Sequence, residues 1–140
     1  MKKHETSAGI ILFRVFEHGR EFLLLKYPEG HWGFPKGSVG VGDDLWQTAI
    51  ETLLEETNLD VSERYSNFNH ELEYWFKQKG ETTLKTVHFF DAVISPRQSV
   101  SITYEHRDFA WVDEDQVLER ITYDDERRML QTWIDQVATE

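Results

Sequence analysis

Three glutamates at helical spacing are the residues of this chain best suited to chemistry. They are Glu51, Glu55 and Glu56, within the segment GSVGVGDDLWQTAIETLLEETNLD that begins at Gly37. Carboxylates on one helix can hold a divalent cation for phosphate chemistry, because hard cations prefer oxygen ligands. The same glutamates would also suit an ordinary solvated helix. The preceding segment, GHWGFPKG, adds Lys36, a point charge that can be aimed at a phosphate.

The composition limits the classes of protein to which the chain can belong. Its length of 140 residues is typical of one domain, so we assign residues 1–140 to a single domain. A hydrophobic content of 39% and an aromatic content of 14% predict a globular fold. The chain has no cysteine, which excludes disulfides and thiolate metal sites. Its net charge of −11 argues against a broad nucleic-acid surface, although metal-holding carboxylates can still create a phosphate site.

The apolar run near the N-terminus is the segment that most resembles a membrane or export signal. It lies in MKKHETSAGIILFRVF and is interrupted by Arg14. The run is too short to span a bilayer, and the segment lacks the cleavage pattern of a signal peptide. We therefore expect a strand there, no membrane association and a cytoplasmic location.

Hydrophobic patterning predicts the element order β-β-loop-α-β-β-β-α. The loop is HWGFPKGSVGVGDD, because its glycines and proline disfavour regular structure. We expect Asp43 or Asp44 to cap the first helix, Asn58 to follow it, and Asp124 or Asp125 to cap the last helix. Helices set apart from hairpin-linked strands predict an α+β fold, with helices on the faces of a mixed sheet. The predicted strands are SAGIILFRVF, REFLLLKY, SNFNHELEYWF, LKTVHFFDAVI and DFAWV, and the predicted helices are LWQTAIETLLEE and DDERRMLQTWIDQVAT.

The five tryptophans divide into two groups by their position in this pattern. Trp46, Trp75, Trp111 and Trp133 fall at positions typical of a core, and we predict that they pack inside. Trp32 lies in the glycine-rich loop, where it is a candidate for contact with a nucleotide base.

The segment from Gly37 to Leu59 resembles the Nudix box, whose pattern is G-x5-E-x7-R-E-U-x-E-E-x-G-U with U an apolar residue. The flanks EFLLLKYPEGHWGFPKGSV and HELEYWFKQKGETTLKTVHFFDAVI resemble those of the asymmetrical diadenosine tetraphosphate hydrolases. The resemblance implies the Nudix fold, an α/β/α sandwich built on a mixed sheet. The box residues that match are Gly37, Leu53, Glu55, Glu56 and Leu59, and the departures are Asp43 for Glu, Glu51 for Arg, Thr52 for Glu and Asn58 for Gly.

The resemblance also implies an activity, a cofactor and a substrate. It implies hydrolysis of a nucleoside diphosphate linked to another group, by water with Mg²⁺ or Mn²⁺, on a nucleotide polyphosphate such as diadenosine tetraphosphate. The metal ligands implied are the Gly37 carbonyl, Glu55 and Glu56, with Glu51 and Glu105 as further candidates. Glu55, Glu56 and Glu105 are the implied catalytic acids.

Five further residues are candidates to hold the nucleotide. The resemblance implies that Tyr74 and Lys85 contact the phosphates, and His31 is similar to a histidine near the phosphate chain. Lys36 is a candidate because its charge, next to Gly37, can be aimed at a phosphate. Tyr123 stands where relatives stack an adenine ring. Aromatic stacking tolerates any base, so Tyr123 predicts nucleotide binding without defining the base.

The departures at positions 51 and 52 leave alternatives to full catalysis. Thr52 offers a hydroxyl where the family has a carboxylate, and Glu51 adds a like charge beside Glu55 in place of a cation. The alternatives are a weakened hydrolase or a binding and regulatory module of the same fold, and a pyrophosphohydrolase of RNA 5′ ends. We expect a monomer or a weak homodimer.

Overall fold

The computed structural model describes residues 3–102 and 108–137 of the chain. Within these ranges, no helix is long and apolar enough to cross a membrane. The strands are β1 (Lys3–Phe16), β2 (Gly19–Lys26), β3 (Trp32–Gly33), β4 (Lys36–Ser38), β5 (His70–Gln78), β6 (Glu81–Val93) and β7 (Asp108–Asp113), and the helices are α1 (Leu45–Thr57), α2 (Glu114–Arg120) and α3 (Asp124–Gln136).

The strands form one mixed sheet. Its main order is β3-β2-β1-β6-β5, with β4 paired to β1 and β7 paired to β2. The central pair β1–β6 is parallel, whereas the other pairs are antiparallel. The predicted mixed sheet is therefore confirmed.

Strand β1 explains why helices lie on both faces of this sheet. Its run of apolar residues is buried continuously, as is typical of a strand covered on both sides. Side chains alternate along a strand, so Ile10 and Leu12 join the core beneath α1, while Ile11 and Phe13 join the core beneath α3. Helices on both faces confirm the predicted α/β/α arrangement.

Helix α1 has the ends that the sequence predicts. Asp44 is its N-cap and accepts a hydrogen bond from the backbone N–H of Gln47 at 2.8 Å. Asn58 ends the helix in the left-handed region, with φ of 62°. Ala49 and Leu53 are buried against the sheet, which fixes the orientation of the glutamates on the same helix.

The predicted element order lacks helix α2, and several predicted boundaries are wrong. The segment 31–44 is not only loop, because β3 and β4 lie within it and pair with β2 and β1. Such short strands are defined by their partners, so local glycines and proline do not exclude them. The N-cap of α3 is Tyr123, whereas Asp124 and Asp125 lie in its first turn. The Asp124 carboxylate instead pairs with Arg127, and the Asp125 carboxylate accepts a hydrogen bond from the backbone N–H of Glu126.

The prediction for the tryptophans is right for Trp133 and wrong for Trp75. Trp133 is completely buried in the core beneath α3. Trp75 is 54% exposed, because it lies on β5 at the end of the sheet, on the face opposite Tyr74. Trp46 and Trp111 are partly buried against the core beneath α1.

Candidate functional site

A cavity of about 550 Å³ lies between the sheet and the start of α3, and we call it the pocket. Strands β5 and β6 form its floor, the segment from Tyr27 to Ser38 forms one wall, and the first turn of α3 forms the other. Its lining includes all five residues predicted to bind the nucleotide, Lys36, His31, Tyr74, Lys85 and Tyr123. The fold therefore brings together residues separated by as many as 92 positions in the sequence.

Aromatic rings form one side of the pocket. The rings of Tyr27 and His31 are stacked, with centroids 4.8 Å apart and planes 8° apart. The His31 ring also meets that of Tyr123, with centroids 5.0 Å apart, and Tyr123 is 49% exposed. The Tyr27 hydroxyl donates a hydrogen bond of 2.6 Å to the carbonyl of Phe34, which ties this side to the β3–β4 segment. An exposed ring beside a stacked pair suits a planar ligand group.

Burial and charge set the protonation of these aromatic groups. Burial, followed by the charges of Glu126 and Glu56, raises the pKa of Tyr27 well above its ordinary value. Burial and Glu126 raise the pKa of Tyr74 to about 12. Burial and Lys36 lower the pKa of His31. At neutral pH the tyrosines therefore remain hydrogen-bond donors, and neutral imidazole is favoured.

Two lysines supply the positive charge of the pocket. Lys36 lies on β4, and its ammonium is 3.4 Å from a carboxylate oxygen of Glu126. Lys85 lies on β6 directly across from Tyr74 on β5. Burial, followed by the positive charge of Lys36, lowers the pKa of Lys85. An anion between the two ammonium groups would offset their repulsion, so the pocket is suited to phosphates.

Glu126 is a pocket residue that the sequence analysis missed. It is only 3% exposed. One carboxylate oxygen accepts a hydrogen bond of 3.2 Å from the backbone N–H of Phe34, and the other faces Lys36. A signal was present in the sequence, because Glu126 stands three, four and seven positions before the buried Met129, Leu130 and Trp133. An acid on the apolar face of a helix needs a buried partner.

Gly37 connects the pocket to helix α1. It lies on β4, opposite Ala8 of β1, and lines the pocket. A Cβ atom at position 37 would overlap the side chain of Thr52, so the helix approaches the strand as closely as glycine allows. The departure from the Nudix box at Thr52 therefore lies directly against the glycine that is implied to ligate metal.

The predicted acids have different surroundings. Glu51 is exposed and accepts a hydrogen bond of 2.9 Å from Gln47, one turn earlier on the helix. Glu55 is also exposed. Glu56 is partly buried, and its charge acts on Tyr27, which places it nearest the pocket. Glu105 lies outside the described residues.

The oxygen donors near Gly37 fit a divalent cation only in part. Among residues 3–102 and 108–137, no three histidine, aspartate or glutamate side chains form a cluster that could hold a metal ion. Magnesium is commonly bound by only one or two carboxylates together with water and substrate phosphates. Glu55, Glu56 and the Gly37 carbonyl offer the hard oxygen donors that such a site uses. These residues fit a cation that arrives with a phosphate ligand, and they do not form an all-protein cage.

Comparisons with known proteins agree with this arrangement. A sequence model of the NUDIX domain matches residues 3–133. The asymmetrical bis(5′-nucleosyl)-tetraphosphatase of Caenorhabditis elegans is 31% identical over 109 residues, covering 76% of this chain and 78% of that protein. The rat protein of the same name is 27% identical over 135 residues, covering 89% and 90%. A crystal structure of a C. elegans Ap4A hydrolase binary complex superposes with a TM-score of 0.78 at 27% identity, covering 97% of this chain and 99% of that one. The chain therefore belongs to the Nudix family of phosphoanhydride hydrolases.

Proposed function

We propose that this protein hydrolyses dinucleoside polyphosphates with the help of a divalent cation, cutting diadenosine tetraphosphate into a mono- and a triphosphate. The observation that carries the proposal is the position of Gly37, which borders both the pocket and helix α1. The glutamate-bearing helix thus adjoins a pocket that combines two lysines with exposed aromatic rings. Relatives named asymmetrical tetraphosphatases support the same substrate class.

Each of the five residues predicted to bind the nucleotide has a role in holding the substrate. A base stacks on Tyr123 beside the His31 ring, and the phosphate chain runs toward Lys36 and Lys85. The hydroxyl of Tyr74 donates a hydrogen bond to a phosphate oxygen, because its pKa of about 12 keeps it protonated. The phosphates are held by charge and the base by stacking, so the substrate requires both parts.

The hydrolytic step takes place beside Gly37. Glu55, Glu56 and the Gly37 carbonyl would hold Mg²⁺ or Mn²⁺, with Glu51 and Glu105 as further candidate ligands. When bound, such a cation neutralises phosphate charge and lowers the pKa of a coordinated water. A water oxygen attacks one phosphorus, the bridging P–O bond breaks, and a proton passes to a carboxylate among Glu55, Glu56 and Glu105.

One observation favours a second candidate, a nucleotide-binding module with little turnover. Thr52 occupies the space against Gly37 where the family pattern has a carboxylate. Such a module would keep the lysines and rings of the pocket, and it would bind a polyphosphate without cutting it.

The test is turnover of diadenosine tetraphosphate with Mg²⁺ and then with Mn²⁺. The parent is compared with Glu56→Gln and Thr52→Glu, and Glu119→Gln on the exposed side of α2 is the matched control. We expect turnover in the parent and the control, and a loss of roughly a hundredfold or more in Glu56→Gln, typical of a lost catalytic carboxylate.

The outcomes separate the two candidates. Absence of turnover in the parent, with turnover gained in Thr52→Glu, would establish the binding module instead. Equal turnover in the parent and Glu56→Gln would mean that Glu56 of helix α1 takes no part in hydrolysis.

A further inference from the structure

We propose that Glu126 is an internal competitor of the ligand phosphates for Lys36, so that it lowers the affinity of the pocket for anions. Lys36 pairs with Glu126 in the ligand-free protein and turns to a phosphate when one enters. The inference rests on the proposed function in taking phosphate as the ligand. It adds a residue of the pocket that acts against binding.

Glu126 is the fixed partner of this pair. Its carboxylate is anchored by the backbone N–H of Phe34 and is held against Gly33, where an added Cβ would lie 3.1 Å and 3.2 Å from its two oxygens. Its place in the first turn of α3 puts the negative charge at the helix end that favours it. The carboxylate therefore stays in place whether or not Lys36 is paired.

Lys36 is the mobile partner. The separation of 3.4 Å between its ammonium and the carboxylate exceeds the roughly 2.7–2.9 Å of a strong charge-assisted bond. Its side chain is 12% exposed and lines the pocket, and a lysine has a flexible four-carbon stem. A small rotation is enough to turn the ammonium from Glu126 toward a phosphate.

The exchange costs free energy, and ligands differ in how far their other contacts offset that cost. When Lys36 turns away, Glu126 is left buried with one hydrogen bond from Phe34, and an unpaired buried charge is expensive. A ligand with a single phosphate gains only one ammonium for this cost. A polyphosphate also reaches Lys85 on the other strand of the floor, so it recovers more of the cost. Glu126 thus lowers the affinity for every phosphate ligand that needs Lys36, and a polyphosphate still binds because its contact with Lys85 adds to the affinity.

The experiment measures binding of inorganic tripolyphosphate by calorimetry in EDTA, so that neither turnover nor metal contributes. It compares the parent, Glu126→Gln, Lys36→Met and the double variant. Glutamine keeps an oxygen for the Phe34 N–H and removes the charge. We expect Glu126→Gln to bind about tenfold more tightly than the parent, a difference of about 1.4 kcal/mol, because no carboxylate then competes for Lys36. In the Lys36→Met background only the direct repulsion between the Glu126 carboxylate and the anion remains, so the same substitution should give a clearly smaller gain in affinity.

Two further variants test whether the effect depends on the contact between Glu126 and Lys36. Glu29→Gln removes one charge from the exposed rim of the same pocket, and its effect should be nearly the same with and without Lys36. Gly33→Ala crowds the Glu126 carboxylate without changing any charge, and the change in affinity that results should disappear in the Lys36→Met background. This variant replaces Glu126→Gln if the latter fails to fold, and an equal change in both backgrounds then overturns the inference.

The outcomes are distinct from those of the proposed function. Unchanged or weaker tripolyphosphate binding in Glu126→Gln overturns the inference, as does an equal gain in the Lys36→Met background. The proposed function fails separately, through absence of diadenosine tetraphosphate turnover, and the competition for Lys36 could still be measured in that case.

Discussion

Two buried carboxylates in this protein differ in their partners, because only one of them is paired with a residue that lines the pocket. Asp91, on β6, is completely buried and accepts hydrogen bonds from the Trp133 indole N–H and the Ser66 backbone N–H, both at 2.9 Å. Glu126 is nearly as buried, but one of its partners is the ammonium of Lys36, which lines the pocket. Burial alone therefore does not distinguish a structural acid from a functional one. The partner does.

The partners of Asp91 are fixed by packing. Trp133 lies in the last turn of α3 and its ring packs on Phe13 and Phe22, so the indole N–H cannot turn to another acceptor. The bond thus fastens α3 to the sheet from within the core. Glu126, on the first turn of the same helix, is joined to a side chain that can exchange its partner for a ligand.

The largest effect is expected from Asp91→Ala. The change leaves the buried indole donor of Trp133 and the partly buried donor of Ser66 without acceptors, and it should lower the free energy of unfolding by about 3 kcal/mol. Urea unfolding followed by tryptophan fluorescence measures this loss. Tripolyphosphate affinity of the folded variant should equal that of the parent. A change in affinity without a loss of stability would mean that Asp91 acts on the pocket and is not a purely structural acid.

A smaller effect on stability is expected from Glu126→Ala. The Phe34 N–H and Lys36 each lose a partner, but the lysine can reach water through the pocket, so the cost should be about 1 kcal/mol. The same urea titration measures it, and Glu126→Gln should cost less because its amide oxygen still accepts from Phe34. A loss as large as that of Asp91→Ala would mean that Glu126 is mainly structural.

The sequence predicts the parts of the fold that depend on local pattern. The apolar run of β1, the Asp44 cap and the left-handed Asn58 are all encoded within a few residues, and each is confirmed. Strands β3 and β4 escaped prediction because two or three residues become a strand only through their partners. Trp75 was misplaced because its burial depends on where β5 lies in the sheet, which local sequence does not record.

The residues of the candidate site likewise include some that the sequence predicts and one that it does not. The resemblance of the flanks predicts Tyr74, Lys85 and Tyr123, and its charge makes Lys36 a candidate. The structure places these residues around one pocket. Glu126 was missed because its partner Lys36 is 90 positions away in the sequence. The apolar face of α3 indicates that this acid is buried, but only the tertiary structure identifies what neutralises it.

The smallest effect expected is a pH dependence from His31, which tests whether pocket groups respond to one another. Burial, followed by the charge of Lys36, lowers the pKa of His31 below its ordinary value of 6.5. The folded state therefore binds fewer protons than the unfolded state in the window below 6.5, so stability is lost as the pH falls through it. The parent should lose more stability than His31→Gln in urea titrations between about pH 7.5 and pH 5. Lys36→Met removes one cause of the lowered pKa, so the difference should shrink in that background. An unchanged difference there would mean that burial alone holds the ring neutral, and that Lys36 does not affect His31.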